Sequence, residues 1–269
     1  MSLPDKALFY KKASVNIAGT VFTYPPFSIE FSQTLKIGKI STAKVKLYNP
    51  APATIKLAES TKSGKTRLYP NIIVDAGYIE DFGTAVLGEI MNYSVLRKGQ
   101  DIILEMSVSD KTSKWANAQI AETWKNTRAS TIIFDLMFLA GITSDIKLGE
   151  DKNYSKFTSK GFRESLKKIV KDTDSQFYFK NGVLKIEPKK AVQDRTGFFI
   201  SPETGLLGKI EKNAKGFQFK TLFFYKIQIG DIIKIQDKNT PSAIVKIIEG
   251  KKNFATYRNS YCAFKAVEI

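Results

Sequence analysis

Residues 68–109 constrain the fold of this chain more than any other stretch. Three apolar runs of strand length occur in it, at Ile72–Val74, Ala85–Ile90 and Ile102–Val108. The segments between them contain glycine, aspartate and other residues that are common in turns. Short apolar runs separated by such turns predict a β-meander, in which consecutive strands pair antiparallel.

Apolar and polar residues alternate regularly before the meander. The alternation is found in Phe27–Ser32 and in Ala43–Asn49, where lysines occupy polar positions. Asn49–Pro52 interrupts the pattern, and Ile55–Leu57 is interpreted as a short third strand. Strands of this regularity with closely spaced turns predict a barrel or sandwich for residues 1–110.

The pattern becomes partly helical in residues 111–196. Ala129–Gly141 has the composition of a helix, with Ser130 as its expected N-cap and its final glycine as the C-terminal stop. Lys160–Val170 carries apolar residues on one helical face and lysines on the other. Asn181-Gly182 between two apolar runs then predicts a hairpin. This region is therefore expected to form a small α+β unit.

Strand-like runs return in residues 197–269. The predicted fold class is mainly β with a smaller α+β part, in which two β-barrel or sandwich domains flank a helix-plus-hairpin unit. The predicted domains are 1–110, 111–196 and 197–269. The third region either forms a separate domain or packs with the first and completes it.

Charge and composition limit the classes of partner. The chain has 42 basic and 26 acidic residues, a formal net charge of +16. This balance fits nucleic acid or another anionic partner, but it also fits lysines spread over solvated strand faces.

No apolar run is long enough to cross a bilayer, so membrane insertion is not expected. Cys262 is the single cysteine and is predicted to be a buried thiol, which fits a reducing compartment.

The absence of histidine excludes several kinds of catalysis. A chain with no histidine cannot use Ser-His-Asp or Cys-His chemistry, and the common zinc sites with histidine are excluded too. The carboxylate pairs Asp172/Asp174 and Glu80/Asp81 are more typical of turns than of an acid–base or Mg²⁺ site. No enzyme activity, metal or cofactor is expected.

Three weaker patterns suggest nucleotide or nucleic-acid binding. Ser63–Thr66 matches the end of a P-loop, but Glu59 stands where its first glycine is required. Gly205–Gly208 has the spacing of a KH-domain clamp, although it lies among strands and favours a turn. Five aromatic residues could form a stacking surface or, as we favour, pack in a core or interface. These are Trp115, Trp124, Phe177, Tyr178 and Phe179.

Several short motifs occur in an order that is informative as a set. They are, in chain order, Phe27–Phe31, Ala43–Asn49, Val74–Tyr78, Ala85–Ile90, Gly161–Leu166, Phe177–Leu184, Ile200–Gly208, Gly216-Phe217 and Ile229–Asp231. This ordered set resembles the tail baseplate hub proteins of bacteriophages and phage-tail-like particles. Two features depart from the family pattern. Lys209-Ile210 stands where proline is frequent, and the histidine that members usually carry near the last strands is missing.

The resemblance implies a structural role in a tail baseplate, produced in the cytoplasm of a host bacterium. Hubs of this kind are homotrimers in which each protomer contributes two tube-like β domains. The three protomers form a pseudo-hexameric ring that joins the hexameric tail tube to the trimeric spike. The implied partners are the tail tube protein, the spike protein, the tape-measure protein and other baseplate proteins, with non-specific passage of DNA through the lumen.

The resemblance also indicates interface candidates, which are Gly77, Tyr78, Gly88, Thr204, Gly205, Leu206 and Gly230. The meander is expected to lie at or near a subunit interface. Two other functions stay open at this point. One is a basic β-barrel protein that binds nucleic acid, and the other is a carboxylate-based cell-wall hydrolase carried on a tail.

Overall fold

The computed structural model describes residues 10–63, 66–110, 115, 118–189, 197–239 and 241–269. Most of them lie in β-strands, with short helices between, so the predicted mainly β fold with a small α part is confirmed. None of the helices in these ranges is long and apolar enough to cross a membrane.

The described residues of the first region form nine strands and one short helix. The elements are β1 (Lys11–Ile17), β2 (Thr20–Tyr24), β3 (Ile29–Lys36), β4 (Thr42–Tyr48), α1 (Pro52–Leu57), β5 (Thr61–Ser63), β6 (Thr66–Leu68), β7 (Asn71–Tyr78), β8 (Asp81–Lys98) and β9 (Asp101–Ser109). The predicted meander is confirmed, because β7 pairs antiparallel with β8 and β8 with β9.

The predicted strand at Ile55–Leu57 is wrong, since these residues lie in α1. Pro52 begins this helix, where its fixed φ is favourable and its missing N–H is not needed. Ile55 and Leu57 pack against the large core. Three alternating residues are too few to separate a strand from one helical turn.

Among its described residues, the middle region has the following helices and strands. They are β10 (Thr123–Arg128), α2 (Ala129–Ala140), β11 (Ser144–Ile146), β12 (Asn153–Thr158), α3 (Phe162–Asp172), β13 (Ser175–Lys180) and β14 (Val183–Pro188). The hairpin prediction is confirmed, with Asn181 and Gly182 at φ of 52° and 74° between β13 and β14. Both angles are positive, as a two-residue type I′ turn requires.

The first of these helices ends as predicted but begins differently. Gly141 has φ of 63° and forms the left-handed C-cap of α2. The N-cap residue is Arg128, not Ser130. Asp151, from a distant loop, accepts hydrogen bonds from the Ser130 backbone N–H at 2.9 Å and from its hydroxyl at 2.8 Å. A carboxylate from elsewhere in the chain thus satisfies the helix N-terminus.

In the last region, the part that the structure describes adds six strands and a 3₁₀ turn. They are β15 (Phe199–Ile200), the turn Pro202–Thr204, β16 (Leu206–Asn213), β17 (Gly216–Leu222), β18 (Ile232–Ile235), β19 (Ala243–Ala255) and β20 (Tyr261–Glu268).

A single large sheet joins the first and last regions. Its strand order is β16-β17-β20-β19-β3-β4-β9-β8-β7-β1-β2, and β18 and β15 branch from β19. The join is the antiparallel pairing of β19 with β3, from Glu249 opposite Lys36 to Ala255 opposite Glu30. One hydrophobic core contains residues of both regions, while the middle region has a core of its own. The division at residues 110 and 196 stays a prediction.

Candidate interaction surfaces

The carboxylate pairs do not form a catalytic cleft. Asp172 accepts a hydrogen bond from the Tyr154 hydroxyl at 3.0 Å, and Asp174 forms an ion pair with Lys189 at 2.8 Å. Asp81 pairs with the Lys226 ammonium, and Glu80 is exposed in the preceding turn. Within the described ranges, no group of three or more Cys, Asp or Glu side chains is placed to hold a metal ion.

The two loop motifs have structural explanations or lie outside the described residues. Gly205, at φ of 107°, ends the 3₁₀ turn, and the Thr204 hydroxyl donates to the Phe199 carbonyl at 2.7 Å. Gly205–Gly208 therefore turns the chain into β16. The P-loop-like stretch Ser63–Thr66 includes residues 64 and 65, which are not among those described.

The aromatic residues considered for base stacking are in the interior. Trp115, Phe177 and Phe179 are buried in the middle core, where the Trp115 ring lies 5.7 Å from each phenyl ring, centre to centre. Tyr178 is buried in the large core. Trp124 is half-buried, and its indole N–H donates to Asp135 at 2.9 Å. These contacts explain the five rings as packing groups. Cys262 is also fully buried, as predicted.

The predicted interface glycines lie where the backbone of the same chain passes close by. A Cβ atom at Gly77 would overlap the Asp81 carbonyl, and one at Gly88 would lie 2.6 Å from the Ser109 carbonyl oxygen. Gly230, at φ of 83°, lies directly against the Tyr178 ring. Contacts within the protomer therefore suffice to explain why these positions lack a side chain.

The other interface candidates differ in exposure. Tyr78 and Leu206 are buried, and Thr204 and Gly205 are half-buried. Burial raises the pKa of the Tyr78 hydroxyl. Their assignment to a subunit interface stays a proposal.

A buried polar junction connects the middle unit to the large sheet. The Lys246 ammonium on β19 forms an ion pair with Glu187 on β14 at 2.5 Å, and both side chains are at most 2% exposed. Glu187 also accepts hydrogen bonds from Tyr178 and from Gln176, each at 3.0 Å. Burial and the neighbouring Glu187 charge raise the pKa of Tyr178. The several partners of Glu187 offset its desolvation, as a buried charge requires.

A second ion pair extends this junction. Lys180, at the end of β13, contacts Asp231 at 2.5 Å, and Asp231 also accepts the backbone N–H of Gln228 at 2.8 Å. Both pairs hold the β13–β14 hairpin against the segment around β18 and β19. The sequence offered one signal for this contact, a lysine inside the apolar run Ala243–Ile248. It did not indicate which residue is the partner.

The outer face of the large sheet carries charged residues of both signs. Glu249 lies between Lys36 and Lys265 on the neighbouring strands, at 3.0 and 3.2 Å. Glu105 likewise lies near Lys44 and Lys46, at 3.3 and 3.8 Å. Exposed pairs of this kind contribute about 1 kcal/mol or less each, so they shape the surface potential more than the stability.

Glu30 is the centre of a further cluster on this face. It accepts hydrogen bonds from Tyr257 and Tyr48 and pairs with Arg258 and Lys46. Burial alone would raise the pKa of this carboxyl, but the tyrosine hydrogen bonds and the two cations hold it below its usual range. The face therefore has a polar, largely ion-paired surface suited to contacts with water or other proteins.

The two ends of the large sheet are strands with one bonded neighbour. β2 pairs only with β1, and β16 only with β17, within the part of the chain that the structure describes. Val21 on β2 and Leu207 on β16 are 56% and 37% exposed. An unpaired edge with exposed aliphatic residues is a template for pairing with another chain.

The fold is that of phage tail proteins. It matches the 43 kDa tail protein of prophage MuSo2 from Shewanella oneidensis with a TM-score of 0.69 and 10% identity, over 96% of this chain and 97% of that one. A tail protein from Neisseria meningitidis MC58 matches over 97% of both chains, with a TM-score of 0.70 and 9% identity. The resemblance to phage tail hub proteins is thus confirmed at the level of the fold.

A secretion-system protein has the same fold. This E. coli component of the type VI secretion system, itself similar in structure to the T4 tail proteins gp27 and gp5, matches with a TM-score of 0.70 and 12% identity. The match covers 95% of this chain and 76% of that one. The sequence alone matches no protein-family model and no curated protein.

Proposed function

We propose that this chain is a non-enzymatic hub subunit of a phage tail or phage-tail-like particle. Three copies form a pseudo-hexameric ring that adapts the hexameric tail tube to the trimeric spike. The observation that carries the proposal is the similarity of fold to tail proteins over nearly the whole chain. The buried aromatic rings and dispersed carboxylates give no support to the nucleic-acid-binding or hydrolase alternatives.

The open ends of the sheet supply a physical reason for a ring. Pairing between β2 of one copy and β16 of the next would satisfy both free edges. A closed ring leaves no strand edge exposed, which removes a template for uncontrolled aggregation. Six of the seven interface candidates belong to this proposal through their position in the sheet. Gly77 and Tyr78 lie on β7, Gly88 on β8 and Leu206 on the edge strand β16, with Thr204 and Gly205 in the turn that leads into β16. Gly230 precedes β18, which pairs with β15 and β19, so its place at an interface rests on the resemblance alone.

The proposed partners are the tail tube, spike, tape-measure and other baseplate proteins. A ring in this position encloses a lumen through which DNA or protein must slide. Where its charges are ion-paired, the polar sheet face suits such a lumen, because paired charges form neither an apolar patch nor a strong site for what passes. The assembled protein would lie in the tail baseplate, after synthesis in the host cytoplasm.

Negative-stain imaging of the purified protein tests this proposal. Class averages should show ring-shaped particles with threefold symmetry, six similar lobes and a central opening. Particles of a single compact chain, or filaments without closure, would overturn the ring. Binding of duplex DNA far tighter than about 10⁻⁶ M at physiological salt would favour the nucleic-acid alternative instead.

A further inference from the structure

A shallow cavity on the outer face of the large sheet has its own charge pattern. It has a volume of about 470 Å³ and lies across β16, β17, β20, β19 and β3. Ala263 lies opposite Lys220 on one neighbouring strand and opposite Lys251 on the other. Its small side chain leaves a depression between two lysines, and Leu207 and Thr34 continue this row at either end.

Three of the lysines in the cavity have no carboxylate partner among the residues that the structure describes. Lys265 is paired with Glu249, whose charge Lys36 also neutralises. Lys209, Lys220 and Lys251 make no ion pair with any described carboxylate, and all three are exposed. Lys220 lies over the Tyr261 ring, with its nitrogen 4.5 Å from the ring centre. Glu211 on β16 also lines the cavity and forms no ion pair with a described lysine, so the four lysines and two carboxylates of the lining leave a net charge of +2 on one part of an otherwise ion-paired face.

Two β-bulges build this arrangement. The pairing of β16 with β17 shifts between Leu207 and Glu211, which brings Lys209 to the cavity wall. The pairing of β19 with β20 shifts between Ile247 and Glu249. An extra residue reverses which face the following side chains occupy, so Lys251 points outward beyond this bulge. Bulges that re-aim side chains in this way are frequent beside binding sites.

We propose that this cavity binds an acidic segment of a partner protein, whose carboxylates pair with Lys209, Lys220 and Lys251. The inference deepens the proposed function, because it names the chemistry of one contact of the hub. Nucleic acid fits less well. Single strands stack on exposed rings, whereas the cavity's Phe219 and Phe264 are 5% and 2% exposed. Duplex DNA requires neutralisation of many phosphates over a longer surface.

Fluorescence anisotropy with a labelled oligoglutamate peptide tests the proposal. The variant Lys209→Glu/Lys220→Glu/Lys251→Glu reverses the three charges. Its matched control, Lys125→Glu/Lys156→Glu/Lys167→Glu, changes the net charge equally at exposed positions of the middle unit that form no ion pair with a described residue. We expect the cavity variant to bind the peptide at least about tenfold more weakly than the unaltered protein, because three exposed pairs that each contribute modestly are lost together. The control variant should bind the peptide within about twofold of the unaltered protein.

Three results would overturn the proposal. They are equal weakening in both variants, no oligoglutamate binding by the unaltered protein, and selective loss of duplex DNA binding in the cavity variant. The last result would assign the cavity to nucleic acid. Should the cavity variant fail to fold by circular dichroism, Lys→Gln changes at the same positions replace it. The peptide assay does not depend on ring formation. Sedimentation of the same samples measures assembly separately, so a failure of peptide binding can be distinguished from a failure of the hub function.

Discussion

At the scale of single residues, one buried ion pair is expected to hold the middle unit to the large sheet. Lys246→Met removes the cation and leaves the Glu187 carboxylate buried without its main partner. We expect the free energy of unfolding to fall by about 3–5 kcal/mol, measured by urea denaturation. The double variant Lys246→Met/Glu187→Gln should recover much of this loss, because no buried charge remains.

An exposed pair supplies the control for this experiment. Lys212 and Glu268 lie 3.2 Å apart, and both side chains are more than half exposed. Lys212→Met should lower the free energy of unfolding by about 1 kcal/mol at most. A loss from Lys246→Met no larger than that from Lys212→Met would show that the buried pair does not stabilise the junction.

A second buried lysine makes stability depend on pH. Lys252 is fully buried, donates to the Tyr225 carbonyl at 2.7 Å, and has its pKa lowered to about 8 by burial. A lysine in the unfolded chain titrates near 10.4. Above about pH 8 the folded protein has therefore released a proton that the unfolded chain still holds. Taken alone, Lys252 would therefore raise the free energy of unfolding by about 1 kcal/mol between about pH 8 and 9, measured in urea titrations.

Cys262 limits this rise at higher pH. Burial raises the pKa of its thiol to about 11, so above about pH 8.5 the unfolded chain ionises first and this thiol alone would lower the stability. The two opposing effects leave a net rise of less than about 1 kcal/mol between about pH 8 and 9 and little further change up to about pH 10. Lys252→Met removes the lysine and should leave no increase between about pH 8 and 9. The same increase in that variant would assign the effect to another group.

At the scale of elements, strand β2 tests the pairing of subunits. Ala18 and Gly19 form a two-residue turn with positive φ, so Ile17 and Thr20 are the hydrogen-bonded closing pair. The N–H of Val21 then points away from β1, toward the free edge. Val21→Pro removes that donor, and we expect loss of oligomer in size-exclusion chromatography with the fold of the protomer retained.

Val21→Thr is the matched control, because it keeps the backbone donor and the β-branched shape. It should elute like the unaltered protein. If Val21→Pro remained fully assembled, with an unchanged circular dichroism spectrum, the β2 edge would not be the pairing edge.

Local signals explain which elements could be predicted. The hairpin of β13 and β14 and the end of α2 depend on residues with left-handed backbone angles, which Asn181, Gly182 and Gly141 adopt readily. The beginning of α2 depends on Asp151, which is remote in sequence, and α1 depends on burial against the core. Those contacts leave no local pattern, so the sequence indicates neither the first residue of α2 nor the helical state of α1.

At the scale of the whole molecule, the features that the sequence does not predict are those that depend on pairing between strands far apart in the chain. Strand content and the meander followed from alternation and turns, and the fold class is confirmed. The union of the first and last regions rests on β3 and β19, whose paired residues are more than two hundred positions apart in the chain. The cavity lysines likewise depend on two bulges, and an extra residue in a strand has no distinct composition.

The mass of the protein in solution tests the central claim most directly. Sedimentation equilibrium over a range of concentrations should give a species of three times the 30.2 kDa chain mass. This result follows from a ring in which three protomers satisfy one another's strand edges. A monomer at every concentration, or a stable dimer, would contradict the proposal that this chain forms a trimeric hub.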